Sequence, residues 1–154
     1  MANQRISESA NVTGEDFLLG VGMREEIVAH ARADYPEEVC GIISGRDGVA
    51  VELHRGHNVS PMPRTTYELD VETLMKQIEF DDAGLMLAAI YHSHPTSPPS
   101  PSPTDIARAF YPDSVYIICS LADPAQPSVC GFRIVDGTVW EVALRDASEL
   151  DHGL

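Results

Sequence analysis

The chain has 154 residues, of which 44% are hydrophobic and 22% charged, and this size and balance predict one globular domain with a sizeable core. Its formal net charge of −14 argues against a surface for nucleic acid or for an anionic membrane, because either would require a basic face. The polar N-terminus lacks the features of a signal peptide, and the apolar stretch at 17–23 is too short to span a bilayer, so we expect a cytoplasmic protein.

The first half of the chain predicts a polar arm, a helix and two strands. Residues 1–16 are expected to form a flexible arm. Apolar residues then recur on one face of a helix that begins near Met23 and ends before Pro36. An apolar run over 39–44 and an alternating segment over 49–55 predict two strands joined by a short turn.

The second half alternates helices with strands. In chain order it predicts a helix over 70–80 with Asp70 as candidate N-cap, a strand over 85–94, a short helix over 103–110, a strand over 115–121 and a hairpin that turns at Asp136 and Gly137. A loop rich in proline and serine follows the strand over 85–94, and residues 146–154 are expected to form an acidic tail. We therefore predict a single domain over 17–145 with a mixed α/β (α+β) architecture.

Two histidines, His92 and His94, stand at the end of a predicted strand. Residues two apart on a strand point to the same face, so both imidazoles project side by side if the strand continues through them. Catalytic zinc sites use three protein ligands and keep a fourth position for water. An isolated H-x-H pair is a weak signal, and Asp105 is the candidate third ligand because the intervening loop can bend back.

Three acidic and hydroxyl residues have structural as well as catalytic explanations. Ser102 to Asp105 match the N-cap and first turn of a helix, with Pro103 in its favoured first position. The two explanations are compatible, because a helix whose first turn faces the strand end would deliver Asp105 to the histidines. A zinc hydrolase also needs a base. Glu38, where the first helix gives way to the first buried strand, is a candidate, although spacing alone does not distinguish it from an ordinary helix-end residue.

Taken together, these residues resemble the motif of the JAMM (MPN+) zinc metallopeptidases. The run from His92 through Pro95 to Ser102 and Asp105 matches H-x-H-P-x6-S-x2-D. The segment YPEEVCGIISG resembles the family's P-x-E-x-C-G-x-x-x-G, and that alignment selects Glu38 as the motif glutamate. The chain is similar to the compact, stand-alone prokaryotic members, because it has no room for the long insertions of eukaryotic relatives.

This resemblance implies a fold and a site. The implied fold is the MPN/JAMM fold, a curved mixed β-sheet flanked by helices and similar to that of cytidine deaminases. His92, His94 and Asp105 would bind one Zn²⁺ per chain, with a catalytic water as the fourth ligand. Glu38 would be the general acid/base, and Ser102 would help to hold the oxyanion.

The resemblance also implies an activity. Family members hydrolyse the bond after the C-terminal Gly-Gly of ubiquitin or ubiquitin-like proteins, so a zinc-dependent peptidase or isopeptidase is expected here. The expected partner is a ubiquitin-like or sulfur-carrier protein with a Gly-Gly end, and neither nucleic acid nor membrane. The identity of that carrier, the type of bond cleaved, the oligomeric state and the role of the proline-rich loop over 95–103 stay open.

Two other functions are compatible with parts of the sequence. A non-catalytic MPN-type scaffold would bind protein partners without cleaving them, but such proteins usually lack one or more motif residues, and all five are present here. A deaminase would carry H-x-E and P-C-x-x-C, and the sequence contains neither. The zinc peptidase is therefore the favoured hypothesis.

Overall fold

The structure of the protein, a computed structural model, describes residues 15–146. Within them, strands and helices follow one another as β1 (Asp16–Leu18), α1 (Val21–Ala33), β2 (Cys40–Arg46), β3 (Val49–Arg55), α2 (Val71–Leu74), α3 (Gln77–Asp82), β4 (Met86–His94), α4 (Pro103–Ala107), β5 (Val115–Ser120), β6 (Ser128–Val135) and β7 (Thr138–Arg145). No helix among the described residues is both long and apolar enough to cross a membrane.

The strands form one mixed sheet in the order β1-β3-β2-β4-β5-β6-β7, and this sheet closes into a barrel. Closure depends on β1, which pairs in parallel with both β3 and β7. The central strand β4 is antiparallel to β2 and parallel to β5. The mixed α/β architecture is as predicted, but the sequence did not reveal β1, because three residues are too few to show a strand period.

The first described residues of the chain are held against the domain by ion pairs. Most of the predicted arm and tail, residues 1–14 and 147–154, lies outside the described residues. Two residues assigned to the arm are nevertheless held against the domain. Glu15 forms an ion pair with Arg133 at 2.6 Å, and Asp16, the first residue of β1, forms one with Arg145 at 3.3 Å.

Turns and helix ends follow local sequence rules with one exception. Asp136 and Gly137 have φ values of 50° and 82°, as the primed turn of the predicted β6–β7 hairpin requires. Asp70 caps α2 by accepting a hydrogen bond from the Thr73 amide. The single helix predicted over 70–80 is instead two short helices, because the chain tightens into i→i+3 hydrogen bonds between them, from Lys76 N–H to Thr73 O among others.

The alternation of β4 divides its side chains between two apolar clusters. Ala89 and Tyr91 pack with α1 in one cluster, whereas Ile90 packs with Phe80 of α3 in the other. His92 and His94 continue the Ile90 face, since residues two apart on a strand share a face. The strand therefore presents both imidazoles on the side of the sheet where α3 and α4 lie.

Candidate metal centre and active site

Three potential ligand atoms meet at the end of β4. The Nε2 atoms of His92 and His94 are 3.2 Å apart, and Asp105 Oδ2 lies 3.2 Å from the first and 3.0 Å from the second. These three residues form the one group of histidine, cysteine and acidic side chains within residues 15–146 that could hold a metal ion. The chain thus brings together the three residues that the sequence predicts as ligands.

The spacing and chemistry of these atoms fit a small divalent cation. Ligand atoms about 2.0–2.1 Å from a tetrahedral ion are about 3.3 Å apart, close to the separations found here. Two imidazole nitrogens and a carboxylate oxygen are also a donor set that zinc accepts. At these distances, a carboxylate oxygen and two ring nitrogens need positive charge between them. A bound cation supplies that charge, and shared protons would supply it otherwise.

His94 is oriented by hydrogen bonds on both ring nitrogens. Its Nδ1 donates to the main-chain carbonyl of Pro98 at 2.8 Å, which directs Nε2 toward Asp105. Burial acts to lower the pKa of His94, but the hydrogen bonds to Asp105 and Pro98 outweigh it, and the pKa lies above its ordinary value. The site therefore favours positive charge at this position.

His92 is held in a different way. It is almost fully buried, and its pKa is lowered by that burial, which Asp105 opposes through a hydrogen bond. The Tyr67 ring stacks on the imidazole with centroids 4.3 Å apart and an interplanar angle of 22°. Within the described part of the chain, His92 Nδ1 has no hydrogen-bond partner.

Asp105 and Ser102 form a capping box at the start of α4. The Ser102 hydroxyl oxygen accepts from the Asp105 amide at 3.1 Å, and Asp105 Oδ2 accepts from the Ser102 amide at 2.9 Å. Burial acts to raise the pKa of Asp105, but hydrogen bonds from both histidines and from Ser102 lower it strongly, so the side chain is ionised. Asp105 therefore belongs both to the cap of α4 and to the candidate ligand group.

Glu38 is a buried carboxyl group close to these ligands. The residue is 6% exposed, and its Oε1 has no hydrogen-bond partner among residues 15–146. Burial raises the pKa of Glu38 to about 7, with a lowering effect from His94 and a raising effect from Asp105. A carboxyl group with this pKa can exchange protons near neutral pH, as a general acid/base must.

The peptide bond between Glu38 and Val39 is tied to neighbouring side chains through both its carbonyl and its amide. The Asn58 side-chain amide donates to the Glu38 carbonyl at 2.9 Å. Next to it, the Val39 amide donates to the Ser93 hydroxyl at 2.9 Å. Ser93 lies between the two histidines in sequence but on the opposite face of β4, so it joins the residue before β2 to β4.

Comparison with known proteins identifies the domain. Residues 21–134 match the family described as prokaryotic homologs of the JAB domain. The chain belongs to this family. This confirms the predicted JAMM (MPN+) relationship and, with it, the MPN/JAMM fold.

Two curated relatives and a solved structure resemble this JAB-domain protein. A desampylase of Haloferax volcanii is 40% identical over 116 residues, which cover 71% of this chain and 84% of the relative. A CysO-cysteine peptidase of Mycobacterium tuberculosis is 38% identical over 117 residues, which cover 75% and 80%. The solution structure of DSY2949 from Desulfitobacterium hafniense has a TM-score of 0.73 and 32% identity, covering 88% of this chain and 97% of that one.

The proline-rich loop of the JAB-domain protein supplies the carbonyl that orients His94. The loop is fixed at two points near Pro98. The Ser120 hydroxyl, at the end of β5, donates to the Ser97 carbonyl at 2.6 Å, and the Ser100 amide donates to the Pro98 carbonyl at 2.9 Å. Because prolines restrict the unfolded chain, holding the carbonyl in place costs less conformational entropy than it would in a flexible loop.

An apolar groove of about 480 Å³ adjoins the ligand group. Its lining residues include Tyr67, Leu69, Ile90, Tyr111 and Asp105. A separate cavity of about 530 Å³ is lined by Glu38 and none of the three ligand residues. The ligand group thus adjoins the apolar groove through Asp105, whereas the Glu38 cavity contacts none of the three ligand residues.

Sequence reasoning missed two contributions to the site. Tyr67 and the Pro98 carbonyl both contact candidate ligands, but neither was singled out. A main-chain carbonyl carries no residue signature, and Tyr67 lies in a loop without periodicity. No pattern in the sequence relates either of them to the histidines.

Proposed function

We propose that this protein is a zinc-dependent peptidase that hydrolyses the bond after the C-terminal Gly-Gly of a ubiquitin-like or sulfur-carrier protein. The observation that carries the proposal is the convergence of His92, His94 and Asp105 beside Glu38, a buried carboxyl group with a pKa of about 7. The names of two relatives, a desampylase and a CysO-cysteine peptidase, support this class of substrate.

The proposed ligands of a single Zn²⁺ are His92 Nε2, His94 Nε2 and Asp105 Oδ2, with water in the remaining position. Zinc held there would supply a Lewis acid for the scissile carbonyl and for the attacking water. Glu38 would accept the proton released by the attack and deliver it to the nitrogen of the leaving amine. Its burial matches this role, because the carboxyl group then accepts and releases protons near neutral pH.

Ser102 is proposed to stabilise the negative charge that develops on the carbonyl oxygen. Its hydroxyl oxygen accepts the capping bond from the Asp105 amide, which leaves the hydroxyl hydrogen available for donation. A donor directed at a developing oxyanion contributes on the order of 3 kcal/mol to catalysis. The capping bond therefore also orients the hydroxyl for this use.

The two cavities suggest how a substrate lies. Because Glu38 must reach the leaving nitrogen, the amine side of the substrate is proposed to lie toward the Glu38 cavity. The carrier tail would then occupy the apolar groove that Asp105 helps to line, with its thin Gly-Gly segment near the ligand group. A cytoplasmic location, expected from the polar N-terminus, is part of this proposal.

The test is cleavage of a fusion between a Gly-Gly-ending carrier protein and a reporter. Wild-type protein should release the reporter, and Glu38→Ala should be slower by about 10²- to 10⁴-fold, the usual contribution of a general base. Chelator-treated protein should show only background cleavage, because it lacks the proposed metal. Activity that survives both treatments would disprove the mechanism. Tight binding of the carrier without cleavage by wild type would instead support the non-catalytic scaffold.

A further inference from the structure

The two histidines differ in what holds them, and this difference assigns a role to Tyr67. A metal-bound histidine almost always forms a hydrogen bond through its other ring nitrogen, which fixes the ring orientation. His94 follows this rule through the Pro98 carbonyl. His92 does not, because its Nδ1 has no partner within residues 15–146.

We propose that Tyr67 is a positioning residue that holds the His92 imidazole in its metal-binding orientation by stacking on it. The rings are nearly parallel, with centroids 4.3 Å apart, and His92 is 1% exposed. Stacking restricts the tilt of the imidazole plane in the way that a hydrogen bond at Nδ1 otherwise would. This inference rests on the proposed function, because it takes His92 as a metal ligand.

Tyr67 can act in this way only if its own backbone is fixed. The side chain of Asn58 bonds to the main chain on both sides of Tyr67. Its Nδ2 donates to the Thr66 carbonyl at 3.1 Å, and its Oδ1 accepts from the Glu68 amide at 3.1 Å. The same Nδ2 also donates to the Glu38 carbonyl, so one amide ties the stacking residue to the proposed base.

The Tyr67 ring also lines the apolar groove, so loss of the ring would disturb a bound tail as well as His92. Activity alone therefore cannot separate a positioning role from a substrate contact. Zinc affinity can separate them, because it is measured without substrate. Tyr111 provides a matched control, since it lines the same groove but stacks on neither histidine.

The experiment measures zinc affinity by competition with a chromophoric chelator for wild type, Tyr67→Phe, Tyr67→Leu and Tyr111→Leu. Tyr67→Leu should bind zinc about 10- to 100-fold more weakly, the usual cost of losing a residue that orients a ligand. Tyr67→Phe and Tyr111→Leu should keep wild-type affinity. The visible spectrum of the Co²⁺-loaded protein should change in Tyr67→Leu and not in Tyr67→Phe, because it reports ligand geometry.

A folded Tyr67→Leu protein with wild-type zinc affinity and an unchanged Co²⁺ spectrum would overturn the inference. Equal weakening in Tyr67→Phe would overturn it too, because the hydroxyl rather than the ring would then be responsible. If Tyr67→Leu does not fold, Asn58→Asp is the second test. It removes the amide donors while leaving Tyr67 in the chain, and it should weaken zinc binding and alter the Co²⁺ spectrum, whereas wild-type behaviour would contradict the proposal.

The outcome separates this inference from the proposed function. Wild-type protein that binds no zinc would refute the proposed function. Wild-type protein that binds zinc and cleaves a Gly-Gly fusion, together with a Tyr67→Leu variant that binds zinc equally well, would refute only the role of Tyr67.

Discussion

The environments of His92 and His94 differ, although the two residues are neighbours on one strand. His94 is fixed by a hydrogen bond to the Pro98 carbonyl, in a loop stiffened by prolines. His92 is fixed by the stacked ring of Tyr67, in a wall of the apolar groove. One support is polar and lies in the loop between the ligands, whereas the other is aromatic and lies where substrate is proposed to bind. The two ligands can therefore be perturbed separately.

The largest expected effect comes from removing either imidazole. His92→Ala and His94→Ala each leave two of three proposed ligands, so both should lose stoichiometric zinc and show only background cleavage. Metal analysis after gel filtration measures the loss. His57→Ala, at an exposed histidine outside the ligand group, is the control and should retain zinc. Retention of zinc by one of the two ligand variants would show that the histidines are not equivalent ligands.

The next effect concerns the pKa of Glu38, the proposed base. Its folded pKa of about 7 lies above the ordinary value of 4.5, so the folded protein binds this proton more tightly than the unfolded chain does. The contribution of this bound proton to the free energy of unfolding is fully present below pH 4.5 and is lost as the pH rises through 7. Metal-free wild type should therefore lose about 3 kcal/mol relative to Glu38→Gln between pH 4.5 and 8.

Urea unfolding in the presence of a chelator measures this difference. Glu38→Gln is the appropriate reference because it keeps the shape of the side chain and removes its titration. Parallel stability curves for the two proteins across this pH range would contradict the assignment of a raised pKa to Glu38.

The smallest expected effect comes from Ser120, which acts on His94 only through the proline-rich loop. Ser120 donates to the Ser97 carbonyl at 2.6 Å in the proline-rich loop, and Ser114 donates to the Leu87 carbonyl at 2.6 Å at the opposite end of β5. Each change to alanine should cost about 1 kcal/mol of unfolding free energy. Only Ser120→Ala should also weaken zinc binding. This loss should be smaller than the loss of about 10- to 100-fold that is expected for a residue in contact with a ligand.

Chelator competition and thermal unfolding of both serine variants provide the two readouts. Ser114→Ala controls for the general loss of a buried hydrogen bond. Equal zinc affinity in the two variants would show that the loop anchor does not support His94, and the contrast between the two histidines would then rest on Tyr67 alone.

Much of the fold was predictable because it is encoded locally. The strand period places His92 and His94 on one face, and Asp136-Gly137 specifies the last hairpin. The capping sequence that begins at Ser102 fixes the start of α4. The short strand β1 and the break between α2 and α3 were not predicted, since neither has a period or a helix-breaking residue to mark it.

The sequence by itself determined which side chains are available for chemistry, because ligand types and their spacing along a strand and a helix cap are properties of short segments. Only the tertiary structure decided how those side chains are oriented. The stacking of Tyr67 on His92 and the burial that raises the pKa of Glu38 join segments distant in the chain. The hydrogen bond that His94 Nδ1 donates to the Pro98 carbonyl is closer in sequence, but it depends on the path of the loop. Such contacts depend on how the sheet closes and where its loops return, which no local pattern records.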